Sequence, residues 1–110
     1  MQVLLTVGTI MAGVVIGWAG AVHAQDATAG RQIAGQCQTC HGIDGIAKIP
    51  IAPNLAGESR IYLETQLKAF RSGERENEMM SVVAANLTDE QISDVAAWYE
   101  SIKVTVEVPE

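Results

Sequence analysis

The pentapeptide Cys37-Gln38-Thr39-Cys40-His41 decides how the rest of this chain is read. Two thiols three positions apart in a tight turn can each bond one vinyl group of the same porphyrin. A histidine directly after the second thiol then lies under the metal and offers its outer ring nitrogen. Cys-x-x-Cys-His is accordingly the pattern of c-type haem attachment. The imidazole needs its other N–H bonded to an acceptor, or the ring turns and binds poorly, so the pattern also calls for an orienting partner elsewhere.

Rival uses of two cysteines fare worse. A structural zinc site needs four ligands, and beyond His23, which falls in an apolar leader, the chain offers only Cys37, Cys40 and His41. A thioredoxin-type redox pair needs a βαβ setting, and none is visible. A Cys37–Cys40 disulfide would close a loop too small to stabilise much. Haem attachment is also the reading that agrees with an exported protein.

Export is read from the leader. No charged side chain occurs before Asp26, and Val, Leu, Ile, Gly and Ala dominate. Val22-His23-Ala24 puts small residues at the spacing a signal peptidase reads, so residues 1–24 are expected to be a signal peptide and residues 25–110 the mature domain. No Lys or Arg opens the segment, and the rival reading is an uncleaved membrane anchor; membrane association is expected only in that case. All 7 basic and 13 acidic residues lie beyond the leader, leaving the domain with a net charge of −6. Such a charge argues against nucleic acid and favours a partner with a basic patch, bound through contacts that salt weakens. Plain solubility is the alternative use of the same charge. A domain this short has little apolar surface to bury, and a covalent porphyrin would give its helices an apolar plate to pack around.

The pattern along the domain is helical. Residues 29–38 read as a short helix leading into the motif, with Ile33 and Cys37 on one side. Residues 42–57 hold Gly42, Gly45, Pro50, Pro53 and Gly57, a density of breakers that predicts an ordered loop. Ser59 caps a helix that Gly73 ends, and Tyr62, Leu63, Gln66, Leu67 and Phe70 form one stripe on it. Residues 79–85 read as a short helical turn with Asn86 as a left-handed terminator. Thr88 and Gln91 form a capping box for a last helix whose apolar face is Ile92, Val95, Ala96, Tyr99 and Ile102. The tail, residues 103–110, alternates Val with polar residues; it is expected to fray alone or to form a strand in a complex.

The second axial position decides what such a haem does. An open iron binds gases or peroxide; one closed by methionine passes electrons at a raised potential. Beyond the leader the methionines are Met79 and Met80. Helical neighbours point about 100° apart, so only one can face the iron. The alternative is that both fill core space.

Cys37 to His41, Gly42, Asp44-Gly45, Ala52-Pro53-Asn54-Leu55-Ala56-Gly57, Tyr62-Leu63, Gln66-Leu67, Phe70-Arg71-Ser72-Gly73, Arg75, Met80, Leu87-Thr88-Asp89-Glu90 and Asp94-Val95-Ala96-Ala97-Trp98-Tyr99 together resemble the class I cytochromes c. The nearest types are one half of a dihaem cytochrome c4 and the monohaem c553 kind. This resemblance, over about residues 28–102, implies the small all-α cytochrome c fold wrapped around one haem c. It implies a crossing of N- and C-terminal helices with Gly30 at the contact and Trp98 or Tyr99 beside it. It implies that the Pro53 carbonyl orients His41, that Met80 rather than Met79 is the second iron ligand, and that Tyr62, Gln66 and Arg75 lie near haem or its propionates. Asn86 stands where a glycine is common. The implied function is a periplasmic single-electron carrier rather than an enzyme. Its rival is a haem subunit of an oxidoreductase such as flavocytochrome c sulfide dehydrogenase, with the tail docking on a flavoprotein. A haem sensor or peroxidase with an open iron is the third reading.

Overall fold

Asp26 starts the first helix. In the computed structural model, which describes residues 24–110, its carboxylate accepts from the backbone N–H groups of Thr28 at 2.7 Å and Ala29 at 3.2 Å. That satisfies orphan amides at the start of α1 (Ala27–Ile33) and complements its dipole. The chain then tightens into a 3₁₀ turn, Ala34–Gln36, before a single α turn, α2 (Gln38–His41). One helix over residues 29–38 was expected from the sequence. The helix instead starts at Ala27 and breaks pitch at Ala34, where Cys37 N–H pairs with the Ala34 carbonyl at 2.9 Å.

Ser59 and Gly73 bound α3 (Arg60–Ser72) as their residue types predict. The Ser59 hydroxyl accepts from Tyr62 N–H, and Gly73 takes the left-handed conformation at φ 86°. α4 (Met80–Ala85) is short. α5 (Asp89–Ser101) opens on the full capping box between Thr88 and Gln91. Asn86 departs from expectation: it sits at φ −98°, ψ 0°, not left-handed. The Leu87 N–H closes a turn onto the Ala84 carbonyl at 3.1 Å. That satisfies the helix end without a left-handed residue and carries Leu87 into the interior.

α1 packs across α5, and α3 packs on both α4 and α5. Gly30 makes the α1–α5 crossing feasible, since a Cβ there would fall 1.9 Å from the Asp94 carbonyl oxygen and 3.0 Å from Trp98 Cβ. The crossing is tied again where Asp26 N–H donates to the Asp94 carboxylate at 2.8 Å. Ala34, Leu63, Val95, Ala96 and Tyr99 form the buried core around it. Ile92 on α5 is also fully buried, which contributes about 1.5–3 kcal/mol.

The segment after α5 has no regular structure, and Val104, Val106 and Val108 are exposed. No strand occurs among the described residues, so the tail pairs with no other segment there. No helix among them is long and apolar enough to cross a membrane. The expected leader, residues 1–24, lies outside the described residues except for Ala24.

Candidate functional site

The stripe on α3 lines a cleft of about 410 Å³: Tyr62, Leu63, Gln66, Leu67 and Phe70 all border it, while Leu63 also joins the core shared with α5. So do both cysteines, His41, Pro53, Arg75, Met79 and Met80. Every site residue singled out in the sequence therefore meets the others in one place.

His41 is buried, and its Nδ1 lies 2.8 Å from the Pro53 carbonyl oxygen. A carbonyl can only accept, so Nδ1 carries a proton, and in the neutral imidazole the lone pair is then on Nε2. Pro53 reaches this place because the loop before it is built. Lys48 N–H pairs with the Cys40 carbonyl at 2.8 Å, and the Gly45 carbonyl accepts from Leu55 and Ala56 N–H groups at 2.8 and 3.1 Å. The Asn54 side chain accepts from Ala47 N–H at 2.8 Å. Gly42 turns the chain out of α2 at φ 76°, where a Cβ would lie 2.4 Å from the Ile46 carbonyl oxygen.

The two thiols are unpaired with each other. Burial pushes the Cys37 thiol pKa up, more than its hydrogen bond with the Tyr99 hydroxyl pulls it down. Tyr99 is held well above the ordinary phenol range, chiefly by burial and then by Cys37, so its O–H remains a donor. It donates to the Gly42 carbonyl at 3.0 Å, while the Trp98 indole N–H donates to the Ile43 carbonyl at 3.0 Å. Of the two aromatics expected at the helix crossing, Trp98 stands at Gly30, and Tyr99 reaches past it into the core. Sequence reading missed both anchors, for no local signal links residues so far apart along the chain.

On the other wall, the Arg75 guanidinium donates to Gln66 Oε1 at 2.7 Å and stands 4.5 Å from the Phe70 ring centroid. This fixes a permanent positive charge beside the cleft. Met79 is 52% exposed, and Met80 is partly buried. Asn77, which the sequence reading did not single out, accepts from the N–H groups of both methionines at 3.0 Å. Its signal was there to find: an asparagine placed to cap the turn that follows.

The donor set suits a haem. Two thiols, an imidazole with Nε2 free and a soft thioether converge on an apolar cleft, which matches the ligand chemistry of c-type haem. Zinc finds no such set, since no group of three or more His, Cys, Asp or Glu side chains gathers among the described residues.

Comparison with known proteins agrees. Residues 27–103 match the family model for cytochrome c. Cytochrome c-554(548) from Halomonas halodenitrificans is 47% identical over 81 residues, covering 71% of this chain and 98% of that protein. The crystal structure of reduced recombinant cytochrome c4 from Pseudomonas stutzeri superposes with a TM-score of 0.69 at 34% identity, covering 76% of this chain and 48% of that one. A thiosulfate dehydrogenase electron acceptor from Stutzerimonas stutzeri is 43% identical over 67 residues, 60% of this chain and 31% of that protein. The chain spans nearly all of the Halomonas protein and half or less of the other two. With the motif Cys37-x-x-Cys40-His41 in place and the fold matched, the chain belongs to the cytochrome c family, as an electron-transfer protein that holds one haem c covalently.

Proposed function

We propose that the protein is a single-electron carrier of the bacterial periplasm, its haem iron held by His41 Nε2 and the Met80 sulfur and closed to outside ligands. The observation that carries this reading is the convergence of His41 and Met80 on one cleft. Haem c supplies a metal that alternates between ferrous and ferric states, one electron at a time. The residues do the rest. The Pro53 carbonyl keeps the proton on Nδ1 and fixes the ring plane. Met80 offers a soft sulfur that favours the ferrous state. Met79, more exposed than Met80, is the weaker ligand candidate. Arg75, held by Gln66, and Tyr62 line the same cleft, which supports a role for both beside the porphyrin.

An apolar leader over residues 1–24 and a covalent haem c both support export, with residues 25–110 as the working domain. The net charge of −6 supports a redox partner that presents a basic patch. The chain performs no bond chemistry of its own in this reading.

A second reading has its own support: the protein serves as the electron-accepting subunit of an oxidoreductase. One relative is named a thiosulfate dehydrogenase electron acceptor. A flavoprotein partner is the other form of this reading, with the exposed tail as the docking segment.

Carbon monoxide added to the reduced haem-loaded protein at neutral pH tests the closed iron. No binding is expected, and rapid binding overturns it. Elution of the native protein as a lone monomer in ordinary salt supports the free carrier. Copurification of a catalytic subunit supports the second reading.

A further inference from the structure

We infer that Asn77 is the positioning residue that locks the methionine turn over the haem cleft. The inference rests on the reading of Met80 as an iron ligand. α4 has only 6 residues, Met80–Ala85, too few to hold a helical shape on its own strength. The exposed, charged segment after Gly73 feeds into it without regular structure. The first amides of such a helix have no partners within it. Asn77 supplies them: its Oδ1 accepts from Met79 N–H and from Met80 N–H, each at 3.0 Å. Ser81 returns the bond on both sides. Its hydroxyl accepts from Asn77 N–H at 3.1 Å, and its N–H donates to the Asn77 carbonyl at 2.9 Å.

This ring of bonds pins the backbone of both methionines. With the backbone fixed, the two side chains diverge, Met80 partly buried and Met79 52% exposed. The far end of the strap is fixed separately, where Arg71 Nη1 donates to the Leu87 carbonyl at 2.9 Å. Asn77 is thus the anchor at the end of the strap that carries the ligand. Its loss frees Met80 to leave the iron more often, and an outside ligand then competes better.

The test uses haem-loaded ferric protein titrated with imidazole, following the sulfur-to-iron charge-transfer band as methionine is displaced. Asn77→Ala is expected to bind imidazole about fivefold more tightly than wild type, the size a lost N-cap gives. Asn77→Gln, polar but one methylene too long to accept both amides, is expected to behave like Asn77→Ala. Asn77→Asp keeps the acceptor and is expected to stay within about twofold of wild type. Thr88→Ala removes a comparable cap from α5 just past the far end of the strap, where Arg71 holds the Leu87 carbonyl, and is expected to leave imidazole affinity unchanged. Wild-type affinity in Asn77→Ala and Asn77→Gln overturns the inference, as does an equal gain in Thr88→Ala. If Met80→Ala retains the band, the ligand assignment itself has failed. If Met80→Ala loses it while the Asn77 variants match wild type, only the role of Asn77 has failed.

Discussion

The Tyr99 hydroxyl donates to the Gly42 carbonyl at 3.0 Å, tying the last helix to the residue that follows the haem-attachment motif. Tyr99 is 2% exposed, and the Gly42 carbonyl keeps a second donor, the Gly45 N–H at 3.2 Å, when the hydroxyl is removed. Tyr99→Phe is therefore expected to destabilise the haem-loaded protein by about 0.5–1.5 kcal/mol, the net worth of one hydrogen bond. Denaturant unfolding followed by circular dichroism measures it, with the midpoint falling at unchanged slope. Trp98→Phe, which removes the donor to the part-buried Ile43 carbonyl, is expected to destabilise as well.

Two glycines close together in sequence are expected to respond oppositely to alanine. At Gly30 a Cβ would sit 1.9 Å from the Asp94 carbonyl oxygen, so α1 and α5 must separate. Overpacking of this kind costs about 1–3 kcal/mol or more. At Gly35, in the 3₁₀ turn, nothing lies within 4 Å of the added carbon and φ is not in the left-handed region. Gly35→Ala is expected to stabilise by about 0.4–1 kcal/mol, through the lowered entropy of the unfolded chain. Thermal unfolding of the two haem-loaded variants decides it; a matched pair of melting temperatures refutes the crossing as described.

Legibility in the sequence followed distance along the chain. Ser59, Gly73 and the Thr88–Gln91 box act within a turn of themselves, and α3 and α5 begin or end where those residues predict. The cysteine–histidine motif is local too, and its cleft partners on the α3 stripe emerge from helical periodicity. What was misread turned on competition that local patterns do not carry. Asn86 tolerates a left-handed backbone, yet burial of Leu87 is served by a right-handed turn closing on Ala84. Within residues 29–38 Gly35 falls in the 3₁₀ turn, but a lone glycine is tolerated inside a helical pattern and does not by itself forecast the step at Ala34. Tyr99 and Trp98 announce themselves as apolar helix residues, and their polar tips find carbonyls that only the folded chain brings near.

The pair Met79-Met80 gives a prediction that separates neighbours. Met80→Ala is expected to abolish the sulfur-to-iron charge-transfer band of the oxidised protein and lower its reduction potential, because a methionine ligand raises it. The opened position is then expected to bind carbon monoxide in the reduced state. Met79→Ala, which removes a side chain already 52% exposed, is expected to leave both band and potential nearly unchanged. Visible spectroscopy and voltammetry of the two variants check this, and the opposite pattern reassigns the ligand to Met79.

Acid stability is expected to depend on the ion pair between Arg71 on α3 and Asp89 at the start of α5. Its hydrogen bond with Arg71, then the charge of that guanidinium, hold the Asp89 carboxyl below the usual carboxylate range. A depressed folded-state pKa means that the folded chain resists protonation more than the unfolded chain does. The stabilisation is therefore complete above the ordinary Asp value and is lost as pH falls through the lower, folded value. Asp89→Asn removes the charge at every pH. Its melting temperature is expected to fall slightly below wild type at pH 7, and the gap to close in the acid window below the ordinary carboxylate pKa. Because Asp89 is 75% exposed, the gap at pH 7 is also expected to shrink in high salt. Melting curves of both proteins across pH and salt measure it. A gap that persists unchanged into acid would assign the effect of the substitution to something other than the charge.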